Sequence, residues 1–274
     1  MISKVELLLI LIMNKKLILI FCLLNLNLFS EIYANDDLSF KLRFPEGISF
    51  GYGIGKFAVK DEYISREIYS GNLPSLRMKW MRAHDKYYYV LGFDFRNSDN
   101  IRNHTLPATV TQFSLYQNYL YPLGNLHLFD KNIFIYLGPS TDIYFYFNQQ
   151  QFAESGIYFD FSFLAMLSAG VDVFVNMPIT KKWSIESSLG LNIFSLGLQT
   201  PEVIVDKNEE AGSAIKLLTA FNGFKSGFDL SLRYYILRRL SAGISYNFEF
   251  GNVIVRKRII TINDNAIVYL NYQF

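Results

Sequence analysis

A chain of 274 residues with a formal charge of +2 has room for one large domain or two small ones and offers no net electrostatic case for nucleic acid. Charged residues make up 18% and aromatics 17%, the latter almost entirely Phe and Tyr. Soluble domains carry about 25% charge, so this composition argues for a large surface that faces something other than water. In chain order, the first feature begins at Met13, "MNKKLILIFCLLNLNLFSEIYA", where Lys15 and Lys16 precede an apolar run and a short polar stretch ending at Ala34. This is the three-part layout of an export signal peptide. Residues 1–34 are therefore assigned to the signal, with Met13 as the alternative start, and residues 35–274 to the mature domain. The single cysteine, Cys22, lies inside the apolar run behind Ile20 and Phe21. A lipid-attached cysteine needs small residues there, so Cys22 reads as signal filler. The exported domain then has neither thiol nor disulfide to stabilise it.

Beyond Ala34 no segment is long and apolar enough for a membrane helix. The recurring period is two. Phe161, Phe163, Ala165, Leu167, Ala169, Val171, Val173 and Val175 alternate with residues that include Ser162, Ser168, Gly170 and Asp172. The same alternation runs through Phe224–Ile236, Leu240–Phe250 and Ala266–Phe274. Successive side chains of a strand point to opposite faces, so sustained alternation predicts strands. Ten are expected, near 46–58, 74–83, 86–97, 108–121, 131–147, 159–176, 182–198, 222–237, 239–253 and 264–274. "LSFKLRFPEG" keeps the phase of the first strand and leaves counts of eight or twelve open. Connections alternate between short ("AHDK", "PLGNLHLFD", "MPITKK", "LRR") and long (59–73, 98–107, 148–158, 199–221, 254–263). Residues 209–219, in the longest, predict a short helix.

One antiparallel barrel is the simplest architecture, with one trimmed end and one elaborated end. Alternation alone fits a soluble barrel as well, with its apolar face inward. The polar face carries mid-strand charges among Gly and Ser, which suits a narrow lumen. The apolar face is bulky and continuous, and as a ten-stranded interior it would be crowded. Tyr87, Tyr119, Tyr121, Trp183, Tyr234 and Tyr272 sit near strand ends, where an interfacial girdle belongs. An all-β, single transmembrane β-barrel is expected; a soluble periplasmic barrel is the alternative.

The export signal, the cysteine-free mature chain and the closing series Ala266, Val268, Leu270, Tyr272 and Phe274 resemble the bacterial outer-membrane β-barrel proteins. The closing motif covers the last ten residues, and the strand pattern covers the mature chain. The resemblance implies a place in the bacterial outer membrane, contact with its lipid and lipopolysaccharide, and a monomeric chain. It also implies that periplasmic chaperones and the barrel-assembly machinery read the terminal Phe274 during biogenesis.

Sites of chemistry are few. "GYGIGKF" at 51–57 has Phe50 and Phe57 where a phosphate loop needs Gly and Ser or Thr, so Gly51, Gly53 and Gly55 read as a tight lumen face. His84 and His127 fall in short connections and His104 in a long one, so they do not converge on a metal or cofactor. Only His104, near Ser98 and Asp99, is placed for an outer-rim lipid or peptide hydrolase, and no catalytic residue is assigned. Arg77, Lys79, Arg96, Lys225 and Arg233 are expected to pair with Asp94, Asp142, Asp172, Glu186, Asp229 and Glu249 inside the lumen. There they either plug it or line a narrow channel for small solutes. Arg256, Lys257 and Arg258, in "VRKR", are placed to meet lipopolysaccharide phosphates. The expected role is structural, surface-interacting or small-solute handling, without nucleic acid.

Overall fold

The computed structural model describes residues 46–62, 67–84, 86–103, 106–128, 131–151, 159–202 and 214–274. The expected signal of residues 1–34, with Met13 and Cys22, lies outside the described residues, as does His104. Alternating sequence becomes eleven strands: β1 Gly47–Asp61, β2 Tyr69–Ala83, β3 Tyr88–Arg102, β4 Pro107–Leu128, β5 Lys131–Gln151, β6 Phe159–Pro178, β7 Trp183–Glu202, β8 Ala214–Thr219, β9 Gly223–Leu237, β10 Leu240–Ile254 and β11 Arg258–Tyr272. Each strand from β1 to β7 pairs antiparallel with the next, β7 pairs with β9, and β11 pairs with β1. Ten strands thus close into a barrel. Closure removes the free sheet edge and pairs the backbone groups within the wall.

β8 is not part of the ten. β7 pairs with β9 over Trp183–Leu191 and with β8 over Phe194–Gln199. β8 therefore extends the line of β9 toward the long-connection end, and the chain between them steps out at Phe221, which is 94% exposed. The helix expected at 209–219 is corrected by this strand: Ile215 and Leu217 point outward while Leu218 is buried, a period of two rather than 3.6. Residues 209–213 lie outside the described set. The strands also run longer than expected. β4 continues through "PLGNLHL" to Leu128, so His127 stands in a strand and not in a connection. Two connections expected to be long shrink to 103–106 and 255–257.

Following partners around the wall from Ile185 gives Leu232, Ile244, Val268, Tyr52, Leu76, Phe95, Phe113, Phe145 and Ala165, and returns to β7 at Leu198. That stagger tilts the strands by roughly 40°. Every residue on this ring is apolar and faces outward. Phe50, Ile244 and Val268 are 60%, 61% and 62% exposed, whereas Arg96, Arg233 and Asn265 inside are 2%, 2% and 0% exposed. A water-soluble barrel has the reverse arrangement, so this wall is built to stand in hydrocarbon.

An aromatic cluster marks the short-turn end of the wall. Tyr87 packs on Tyr119 and Tyr121, Trp80 meets Tyr89 edge-on, and Trp183 lies 4.7 Å from Tyr234. Amphipathic rings settle at a membrane–water boundary.

Candidate functional site

The lumen is layered. At the short-turn end Met81, Tyr88, Val90, Leu120, Phe134 and Tyr136 form an apolar cluster on the β2–β6 side. The opposite wall holds Arg233, whose Nη2 donates to Glu186 at 2.9 Å and whose Nε lies 2.6 Å from the same carboxylate, with Tyr269 under the guanidinium at 5.4 Å.

Charged residues fill the middle. Arg77 donates from Nε and Nη2 to both oxygens of Asp94 at 2.8 and 3.0 Å, and from Nη1 to Asp229. Arg96 grips Glu249 in the same forked manner at 2.5 and 2.7 Å and lies 3.5 Å from Asp94. Lys225 donates to Asp142 at 2.5 Å and sits over the Tyr144 ring. Lys79 is held more loosely, 3.8 Å from Asp229. Planar guanidinium forks match carboxylates in two directions, which fixes geometry as well as charge. Asp172 is the exception. It accepts from Asn118 and has no Lys or Arg within salt-bridge distance among the described residues.

Large side chains enter this layer where glycine faces them. A Cβ on Gly92 would lie 2.0 Å from Cζ of Tyr116, its cross-strand partner, and one on Gly243 would lie 2.4 Å from the ring of Tyr269. A cavity of about 180 Å³ remains, lined in part by Arg77, Asp172, Gly190 and Asn192.

Above the charges, toward the long-connection end, the lumen turns apolar. Fifteen buried residues, among them Phe57, Leu73, Ile101, Tyr146, Leu164 and Leu218, form one packed cluster drawn from both sides of the barrel. Sequence reading placed charges in the lumen but did not anticipate this plug. The usable signal was local loss of alternation: "IYFYF" at 143–147 is apolar or aromatic at every position, which suits a strand buried on one side and lipid-facing on the other. Tyr116, Asn118 and Gln112 in the charged layer were likewise not singled out, because uncharged polar residues carry no distinctive spacing.

The remaining predicted residues sit elsewhere. Ala266, Val268, Leu270 and Tyr272 face outward on β11, opposite Ile54, Tyr52, Phe50 and Ile48 of β1. Phe274 lies two residues beyond, 67% exposed, its ring edge-on to Tyr272. Arg256 and Lys257 occupy the β10–β11 connection and Arg258 begins β11, all exposed. Gln199 of β7 accepts from the backbone N–H groups of Arg256 and Lys257 at 3.0 and 3.3 Å, which ties this tip to β7. His84 stacks on Tyr87, and Nδ1 of His127 is 3.1 Å from Asn132. Among the described residues no three of His, Cys, Asp and Glu come together to hold a metal.

No family model matches the chain, and no curated protein matches it. Solved structures similar in shape include the outer membrane protease OmpT from Escherichia coli, at 9% identity and TM-score 0.46, covering 88% of this chain and 100% of that one. The translocator domain of the autotransporter NalP from Neisseria meningitidis aligns at 11% identity and TM-score 0.45, over 83% of this chain and 89% of its own. The β domain of the Bordetella autotransporter BrkA aligns at 10% and 0.45, over 84% and 100%. At these identities and scores the likeness assigns neither a family nor a role.

Proposed function

We propose that this protein is a bacterial outer-membrane barrel that does not conduct and that acts through its exposed long-connection end. One observation carries the reading: the fifteen-residue apolar plug, which packs side chains from both sides of the barrel across that half of the lumen. Water-filled channels need roughly sixteen strands, and about eight are filled by side chains. Ten strands packed with buried Tyr, Leu and Phe fall on the filled side. The short turns and the β11 end then face the periplasm, and the opposite strand ends, with the 255–257 connection, face outward. In that orientation Arg256, Lys257 and Arg258 lie where lipopolysaccharide phosphates would accept charge-assisted hydrogen bonds. The β11 series ending at Phe274 supplies the strand for assembly. The reading assigns no catalytic residue and no cofactor.

The test has two parts. Cell fractionation should leave the protein with outer membranes rather than release it by osmotic shock. Refolded protein in planar bilayers should give no conductance steps, and steps should appear when the plug is hollowed by Phe57→Ala with Tyr146→Ala. Steps in the unaltered protein would replace this reading with the narrow channel.

A further inference from the structure

In the charged layers of the lumen, below Asp61 at the long-connection end, one acid is left over. Five cations, Arg77, Lys79, Arg96, Lys225 and Arg233, face six carboxylates there, and all but Asp172 have a cation within salt-bridge distance. Asp172 is 7% exposed. Its Oδ2 accepts from Asn118, and its Oδ1 meets no hydrogen-bond partner. A buried carboxylate oxygen without a donor is costly unless something neutralises it.

The wall beside Asp172 has been left open. Its partner on β7 is Gly190, where an added Cβ would meet nothing within 4 Å. Asp172, Gly190, Asn118 and Asn192 all line the 180 Å³ cavity. Engineered cavities of about 150 Å³ admit guests the size of benzene, so this one has room for a small ion with part of its hydration. The one unpaired carboxylate of these layers matches one positive charge. A divalent metal is disfavoured, since no three acidic or imidazole ligands converge among the described residues.

We propose that the lumen cavity, where it borders β6 and β7, binds one small monovalent cation, of the ammonium or alkali-metal type, at Asp172. Asn118 holds one carboxylate oxygen in place and the cation takes the other. With the long-connection half plugged, entry is from the short-turn end, where the Lys79 side chain is 26% exposed. The site needs only the lumen, so it stands or falls separately from the surface role proposed above.

The experiment is calorimetric titration of the refolded barrel in detergent with potassium chloride and, separately, methylammonium chloride. Ionic strength is held constant with N-methyl-D-glucamine, which is too large for the cavity. One-site binding is expected for at least one cation, and which one binds identifies the source. Asp172→Asn should weaken binding about tenfold or more. Gly190→Leu should abolish it by filling the cavity while leaving the carboxylate in place. Folding of each variant is checked by heat-dependent gel migration, and if Asp172→Asn fails to refold, Gly190→Leu decides. No binding of either cation by the unaltered barrel overturns the proposal, as does unchanged binding by a refolded variant.

Discussion

Replacing Arg77 with methionine measures how dry the lumen is. Arg77 is 8% exposed at its side chain and makes three hydrogen bonds to two carboxylates, Asp94 and Asp229, which are 6% and 11% exposed. Methionine preserves the apolar stem and most of the volume, so packing changes little. What changes is charge: two buried carboxylates lose their shared partner. Breaking a buried ion pair costs about 3–5 kcal/mol because the remaining charge is uncompensated. Here each acid keeps a weaker cation, Arg96 at 3.5 Å from Asp94 and Lys79 at 3.8 Å from Asp229. The lower end of the range is therefore expected, about 3 kcal/mol, or roughly a hundredfold in the folding constant. Equilibrium unfolding in denaturant, followed by Trp80 and Trp183 fluorescence, reads this as a lowered midpoint at constant slope. Asp94→Asn added to Arg77→Met should recover part of the loss by removing the stranded charge. A loss below about 1 kcal/mol, the value of exposed pairs, would show that water screens the middle of the barrel and would refute a closed, low-dielectric lumen.

Three further outcomes are expected. Gly92→Val places a side chain where the Tyr116 ring stands, 2.0 Å from the new Cβ; overpacking of this kind costs about 1–3 kcal/mol, and Tyr116→Ala in the same chain should restore the unfolding midpoint. Deleting Phe274, or Phe274→Asp, should lower the amount of heat-modifiable barrel in outer membranes while leaving refolding in detergent unchanged, because the residue projects beyond the paired strand; normal insertion in cells would sink the assembly role. Replacing Arg256, Lys257 and Arg258 together by Ser should weaken co-purifying lipopolysaccharide and its salt dependence without moving the unfolding midpoint by more than about 0.5 kcal/mol, and unchanged lipopolysaccharide binding would remove these residues from the interface.

Much of this architecture was legible because one face of each strand meets lipid and the other does not. On β10 the outward series Ala242, Ile244, Tyr246, Phe248 and Phe250 alternates with Ser241, Gly243, Ser245, Asn247 and Glu249, and period two makes both faces visible at once. The ten-strand count and the inward charges came from that contrast. The contrast fails where the lumen itself is apolar. Phe57 and Val59 on β1, and Tyr144 and Tyr146 on β5, face inward, so inside and outside there share one chemistry and alternation cannot distinguish them. Strand ends were lost for a related reason. Turn signals in "PLGNLHL" suggested a connection, yet Leu126, Ile133 and Ile135 pack with Leu123, Val175 and Met177 and carry the β4–β5 hairpin onward. Tertiary burial outweighed local turn chemistry.

Over 214–219 the expected helix gave way to a strand through an interaction no local pattern encodes. Leu218 is fully buried, and the space it fills exists only because Gly197 and Gly223 lack side chains: a Cβ on either would lie 2.9 Å or less from Leu218. Those glycines come from β7 and from the start of β9, on either side of the point where β7 exchanges one partner strand for another. Leu218 thus seals the wall where β7 changes partner and joins the apolar plug in the same contact. Enlarging Gly197 or Gly223 should therefore loosen the plug as well as the wall. Plug and wall are one packing problem at this height in the barrel, so the closed lumen follows from how the barrel is shut.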